Sequence, residues 1–187
     1  MNANIDLSQV TLTTERLILR PWQQSDLEDF YAYASVEGVG ELAGWVHHQS
    51  IEETKTLLEM FLQEKKTFAL CLKSNNQVIG SIGLEAYDEE KVKEEFKPLK
   101  CREVGYVLSK EYWGCGIMHE ALNAVIDYCF HEIQCDALFL NYYERNHQSK
   151  RIAEKCGFIF YKDNLVTTRY GSIEPSKMNV LYNRKSR

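Results

Sequence analysis

Nowhere in this chain do apolar residues run for the ~20 positions that a membrane-spanning helix needs. The stretch from Met1 to Val10 has neither a basic start nor an apolar centre, so no export signal or membrane partner is expected and the cytosol is the expected compartment. Paired cysteines are missing as well. Cys71, Cys101, Cys115, Cys129, Cys135 and Cys156 stand singly, with no C-x-x-C among them, which excludes the usual zinc and dithiol patterns and reads as free thiols; no metal is expected. Positive charge is not in excess: 22 Lys and Arg face 27 Asp and Glu, a formal net charge of -5. A protein that grips nucleic acid by bulk electrostatics is thereby disfavoured, and a cationic substrate suits the balance better. No internal repeat, low-complexity tract or linker breaks the chain. Its 187 residues, 44% hydrophobic and 26% charged, read as one soluble globular domain over 1–187, with monomer and homodimer both open.

What is present is an alternation of strand and helix patterns. Thr11 to Trp22 starts as a strand, with Leu17 and Leu19 on one face and Pro21 ending it. A short helix over Asp26 to Ala34 follows, then a glycine-broken loop that carries Trp45, His47 and His48. Ser50 with Glu53 forms a capping box ahead of a second helix whose buried face is Leu57, Leu58, Phe61 and Leu62. Thr67–Lys73 and Gln77–Leu84 read as a hairpin, and charged Tyr87–Lys100 as a loop with a mobile tip. Then come a strand over Arg102–Leu108, a strongly amphipathic helix over Gly116–Glu132, a strand over Ala137–Tyr143 and a helix over Gln148–Cys156. Strands at Gly157–Tyr161 and Met178–Tyr182 close the chain. The order implies an α/β sheet with at least one parallel crossover.

The most informative stretch is Tyr112-Trp113-Gly114-Cys115-Gly116-Ile117-Met118-His119, two close glycines between a strand and a helix. Glycines let the backbone turn sharply there, and the first amides of the new helix lack internal partners, which makes an anion cradle suited to a phosphate. A plain tight turn is the competing reading. The stretch lacks the Gly-Lys-Ser/Thr of a P-loop, and His119 stands where a dinucleotide fingerprint has its third glycine, which disfavours a nucleotide-binding oxidoreductase.

A second constellation, Asn146-His147-Gln148-Ser149 followed by Ala153-Glu154-Lys155-Cys156-Gly157-Phe158, lies downstream. With Trp113–Gly116, Thr14–Pro21, Ile79–Leu84 and Glu103–Leu108, it resembles the Gcn5-related N-acetyltransferase (GNAT) superfamily, in particular the branch of ribosomal-protein N-terminal acetyltransferases. The resemblance covers nearly the whole chain. It implies a mixed sheet of about six to seven strands flanked by about four helices, with acetyl-CoA bound where the fourth and fifth strands splay. It implies acetyl transfer from acetyl-CoA to a primary amine, a peptide N-terminus or a small amine such as a polyamine, by direct attack in a ternary complex. A non-catalytic module that binds or senses acyl-CoA on the same fold is the alternative.

Carried over by position, Trp113, Gly114, Cys115, Gly116, Met118 and His119 would form the pyrophosphate turn, with Val107 and Leu108 along the cofactor and one of their amides as oxyanion donor. Many relatives have a basic residue where Cys115 stands and a small one where Met118 stands, so a phosphate-facing charge is expected to be missing. Lys110, Lys150 and Arg151 are the candidates to replace it, each equally readable as a solvated side chain. Transfer needs a neutral amine. For an alkylamine of pKa ~10, neutralisation at pH 7 costs about 4 kcal/mol, and for an α-amine of pKa ~8 about 1.4 kcal/mol.

Glu103 is the candidate base, since period two sets it on one face with Gly105 and Val107; the competing reading pairs it with Arg102, Arg20 or another cation. Ser149 occupies the place where relatives put a hydroxyl beside the leaving sulfur; otherwise it serves a local carbonyl or amide in the first helical turn. Asn146 caps that helix or bonds the cofactor. His47, His48, Glu85 and Tyr142 are weaker candidates for base or substrate contacts, alternatively wall or surface residues, and Trp45 walls the acceptor pocket or plugs the edge of the core. An acetyl-cysteine route is set aside, because Cys115 lies at a phosphate turn and Cys156 on a helix face.

Overall fold

The computed structural model describes residues 1–184. Leu17 and Leu19, two residues apart, point into one core, and around that strand an eight-stranded sheet is built. Its strands are β1 (Leu12–Thr13), β2 (Leu17–Pro21), β3 (Thr67–Leu72), β4 (Val78–Glu85), β5 (Cys101–Leu108), β6 (Ala137–Tyr143), β7 (Ile159–Thr167) and β8 (Ile173–Tyr182). They lie in the order β1-β2-β3-β4-β5-β6-β8-β7. Every neighbouring pair is antiparallel except β5 and β6, which run parallel and pair only at Cys101↔Ala137, Arg102↔Leu138 and Glu103↔Phe139. Beyond those three pairs β5 stays with β4 as far as Leu108, and β6 stays with β8 as far as Tyr143. The two strands therefore part company from Val104 onward, and the sheet opens in its middle.

Four helices cover the sheet: α1 (Leu27–Ala34), α2 (Ile51–Glu64), α3 (Ile117–His131) and α4 (His147–Lys155). Helix α3 buries Ile117, Met118, Ala121, Leu122, Val125, Ile126 and Cys129, the stripe its four-residue repeat predicts, against Phe68, Leu70, Leu84, Val104 and Leu138. On the other face α1 and α2 pack Phe30, Tyr33 and Leu58 onto Trp22, Ala69, Cys71 and Val78. At the start of α2 Ser50 Oγ accepts from the Glu53 amide at 3.3 Å, while the Glu53 carboxylate takes the amide of Gln49, one residue before the cap. The capping box is thus offset by one position. No helix among the described residues is long and apolar enough to cross a membrane.

Three expectations change. The first strand is split by a turn, with Thr14 N donating to Leu17 O, so Leu12–Thr13 folds back on β2 and the sheet has eight strands rather than six or seven. The strand fourth in the family resemblance is accordingly β5. Tyr87–Lys100 contains two short 3₁₀ turns, Glu89–Lys91 and Glu94–Phe96, and buries Tyr87, Val92 and Phe96 against Phe139, Met178 and Val180. Its charged residues hid three apolar anchors spaced too widely to form a pattern. Finally, the last two strands are much longer than expected. β7 and β8 continue to a tight turn, with Gly171 at φ 86° and Thr168 N donating to Ser172 O at 2.8 Å. Ile159, Leu165 and Ile173 stay exposed on this edge, which is why no clean alternation announced it.

Candidate active site

The backbone between β5 and α3 turns at Gly114 (φ 77°) and Gly116 (φ 76°), left-handed values that strain any other residue. Gly116 is the N-cap of α3, and the first bond of the helical ladder runs from Glu120 N to Gly116 O. The amides of Ile117, Met118 and His119 therefore precede the ladder. Ile117 and Met118 bury their side chains in the core, so at these positions the turn offers only backbone. The Cys115 amide instead leans on Tyr112 O at 3.4 Å. Trp113 ties the turn to β5 through its indole N–H, which donates to Leu108 O at 2.9 Å.

A cation does stand at the turn. Arg16, in the turn just before β2, donates from Nη1 to Cys115 O at 3.0 Å and pairs with Glu120 at 2.7 Å, and a Cβ on Gly116 would lie 3.6 Å from its Nη2. Lys110 sits over the Trp113 ring with its Nζ 3.4 Å from Glu37 O, and Lys150 faces Glu154 at 3.9 Å. Arg151 and Lys155, one turn apart on α4, line the cavity beside His119.

Two cavities occupy the opening between β5 and β6. The larger, about 350 Å³, runs from Trp113, Gly114 and Gly116 past Val107 and Leu108 to Ser149. The smaller, about 210 Å³, is lined by Glu103, Gly105, Asn141, Tyr142, Val166 and Ser176, among others. They share Leu42, Ala43, Tyr106, Asn146 and Ser149. At this junction the Ser149 hydroxyl meets the Tyr106 phenol at 2.8 Å, and the Ser149 amide donates to Asn146 Oδ1 at 3.0 Å. Asn146 thus caps α4, and its Nδ2 also reaches Leu42 O at 3.4 Å, holding the roof of both cavities. Burial raises the Tyr106 pKa well above the ordinary phenol value, with the Ser149 bond opposing, so this hydroxyl stays protonated at neutral pH.

Strand alternation fixes which backbone groups face the opening. Ser109 N donates to Ile79 O at 2.7 Å, so odd-numbered residues of β5 turn their polar groups to β4 while Tyr106 and Leu108 turn theirs to the gap. Glu103 Oε1 accepts from Asn141 Nδ2 at 2.9 Å. Arg102 reaches Ala3 O and Arg20 pairs with Asp26, so neither is the partner of Glu103. Burial raises the Glu103 pKa above its ordinary value; the Asn141 bond lowers it and Glu85, opposite on β4, raises it.

Of the other sequence candidates, Tyr142 lines the smaller cavity. Trp45 packs on His48 at 4.9 Å and closes against Gly40, where a Cβ would meet its ring at 2.3 Å. His47 pairs with Glu41 at 2.8 Å, and buried His48 bonds Thr54 at 2.7 Å with its pKa lowered by burial. Glu85 holds Lys66 at 2.7 Å. None of these four lines either cavity. The loop contributes Leu42 and Ala43 instead, held by Arg145 Nη2 to Glu41 O at 2.9 Å and Arg169 N to Gly44 O at 2.8 Å. Sequence reading missed Tyr106 and Asn141. Both sit mid-strand among apolar neighbours, and only the splayed register exposes them. Among the described residues no cluster of His, Cys, Asp and Glu could hold a metal ion.

A family model for the acetyltransferase (GNAT) domain matches residues 16–159. The probable N-acetyltransferase YjcK of Bacillus subtilis is 30% identical over 155 residues, 80% of this chain and 76% of its own. Among solved structures, a GNAT-family acetyltransferase from Bacillus anthracis superposes with a TM-score of 0.80 at 20% identity, covering 93% of this chain and 99% of that one. Ribosomal-protein-S5-alanine acetyltransferase from Vibrio fischeri gives 0.72 at 22% identity over 96% of this chain and 100% of the other. Trp113–Gly116 and Asn146–Ser149 both fall within the matched region, and the chain belongs to the GNAT acetyltransferase family as one of its acyltransferases.

Proposed function

We propose that this protein transfers an acetyl group from acetyl-CoA to a primary amine by direct attack, with the donor in the larger cavity and the acceptor in the smaller. The observation that carries this reading is the meeting of the two cavities at Tyr106 and Ser149. The donor fits the residues present. The first-turn amides of α3 and the open space at Gly114, where a Cβ would touch nothing within 4 Å, suit a pyrophosphate; Arg151 and Lys155 supply positive charge around it, and Arg16 braces the turn. Acetyl-CoA supplies a thioester whose sulfur leaves as a thiolate of pKa ~8.5.

Glu103 takes the proton that makes the amine nucleophilic, at the inner wall of the smaller cavity where Gly105 leaves the strand surface bare. The amides of Tyr106 and Leu108 face the gap and serve the carbonyl oxygen as charge develops on it. The Tyr106–Ser149 hydroxyl pair donates a hydrogen bond to the departing sulfur, which is help enough for so weakly basic a thiolate. The acceptor is a primary amine, and the activity named for the Vibrio fischeri relative makes N-terminal alanine peptides the first to try.

Thiol release from acetyl-CoA, scanned with N-terminal peptides, polyamines and aminoglycosides, tests the proposal. Release that depends on one class of amine is the expected result. Tight acetyl-CoA binding with no release on any amine would favour the acyl-CoA-binding module instead.

A further inference from the structure

Asn141 stands two residues beyond the last β5–β6 pair, on the face of β6 that carries Ala137, Phe139 and Tyr143. Ala137 and Phe139 are fully buried in an apolar cluster and Tyr143 is 7% exposed, whereas position 141 is half-buried at the wall of the smaller cavity. The asparagine there is not fully satisfied. Its Nδ2 donates to Glu103 Oε1 at 2.9 Å, whereas its Oδ1 is buried with no hydrogen-bond partner. The orientation is set by chemistry: an ionised carboxylate only accepts, so the NH₂ end must face Glu103. A side chain that leaves its oxygen without a partner while its NH₂ end meets a carboxylate points to a role for that end.

We propose that Asn141 is a positioning residue for the acceptor chemistry: it spans the gap between β5 and β6 and fixes the Glu103 carboxylate against the wall of the smaller cavity. The inference rests on the proposed role of Glu103 as base. No lysine or arginine among the described residues forms an ion pair with Glu103, so Asn141 is the group that anchors it. The charged and titratable groups around it are few. Glu85 faces it from β4 with Lys66 as its own partner, Lys91 acts from the Tyr87–Lys100 segment, and Tyr142 and Tyr143 flank it on β6. An N–H bond to the ionised form stabilises that form, so Asn141 keeps the carboxylate charged at lower pH than burial beside Glu85 would otherwise allow.

The test is a titration of the intact protein carrying ¹³C-carboxyl glutamate, followed by NMR, with the Glu103 resonance identified by its loss in Glu103→Gln. Asn141→Leu, which fills the site and removes the donor, is expected to raise the Glu103 midpoint by roughly 0.5 to 1 pH unit. Asn141→Asp keeps the shape, adds a second carboxylate and is expected to raise it further. Midpoints unmoved in both variants overturn the proposal. Once an acceptor amine is found, the acid limb of kcat/KM against pH should move upward by the same amount while the high-pH plateau changes little. A merely structural asparagine would lower the whole profile and leave the limb in place. Failure of the underlying reading looks different: Glu103→Gln would keep the wild-type acid limb while the NMR shift in the Asn141 variants persisted.

Discussion

At the scale of single residues, the pair at the meeting of the cavities is the sharpest object in the molecule. Tyr106 OH and Ser149 Oγ are 2.8 Å apart, one from β5 and one from the first turn of α4, and either atom can be the donor. If they act together in one hydrogen-bonded contact to the departing sulfur, removing either breaks the same contact. Tyr106→Phe and Ser149→Ala are each expected to lower kcat by about 10- to 100-fold with KM for acetyl-CoA little changed, at or below the lower end for general acid catalysis because a thiolate leaves readily. The double variant should lose scarcely more than the worse single one. Losses that multiply in single-turnover kinetics would mean that the two hydroxyls act separately. Only Ser149 of this pair is legible from its motif. Tyr106 lies between Gly105 and Val107 in what reads as an ordinary half-buried strand, and its role depends on α4 arriving opposite, a long-range fact.

Among the elements, α3 was the most legible, and for a physical reason: a helix that packs one face on a sheet must repeat its apolar residues near every fourth position. Its N-terminus was equally plain, since two glycines with left-handed backbone leave few other readings. That geometry also gives a test. Gly116→Ala keeps a clear space, its Cβ lying 3.6 Å from Arg16 Nη2, so the cost is almost wholly that of φ 76°, about 1 to 2 kcal/mol. The variant should melt lower and bind acetyl-CoA more weakly by calorimetry, because relief of the strain swings the amides of Ile117 and Met118 out of line. Unchanged affinity would remove this turn as the pyrophosphate site. The elements that escaped sequence reading are those whose apolar residues do not repeat. Strand β7 is a free edge with no fully buried residue, and the anchors of the Tyr87–Lys100 segment, Tyr87, Val92, Phe96 and the partly buried Leu99, are scattered among charges. Arg16 escaped for a different cause, since nothing local tells a residue in the turn before β2 that it will brace another turn 99 positions away.

Over the whole molecule the opened sheet divides the labour between its faces. Helices α3 and α4 cover the face behind the proposed donor site, through the cluster that includes Leu108, Ile117, Met118 and Ala153. The acceptor side lies on the opposite face, between the α1–α2 cluster and the one that Phe96 centres. Phe96 is wholly buried, packs on Phe139 with ring centroids 5.0 Å apart, and its segment also holds the chain start, with the Met1 ammonium donating to Leu99 O at 2.6 Å. Cys101 belongs to this cluster and Glu103, two residues on along β5, lines the smaller cavity, so the cluster anchors the stretch of β5 that carries Glu103. Phe96→Ala should therefore cost about 3 to 5 kcal/mol, the usual loss for a buried aromatic, and at roughly 2 to 4 °C per kcal/mol in a chain of this size lower Tm by about 6 to 20 °C. Below the new transition the two sites should separate. KM for the amine is expected to rise as the β5 segment carrying Glu103 loosens, while acetyl-CoA affinity, which rests on the other face, holds near wild type. A parallel loss of both would show that the faces are coupled through β5 and that the opening of the sheet is a single mechanical unit.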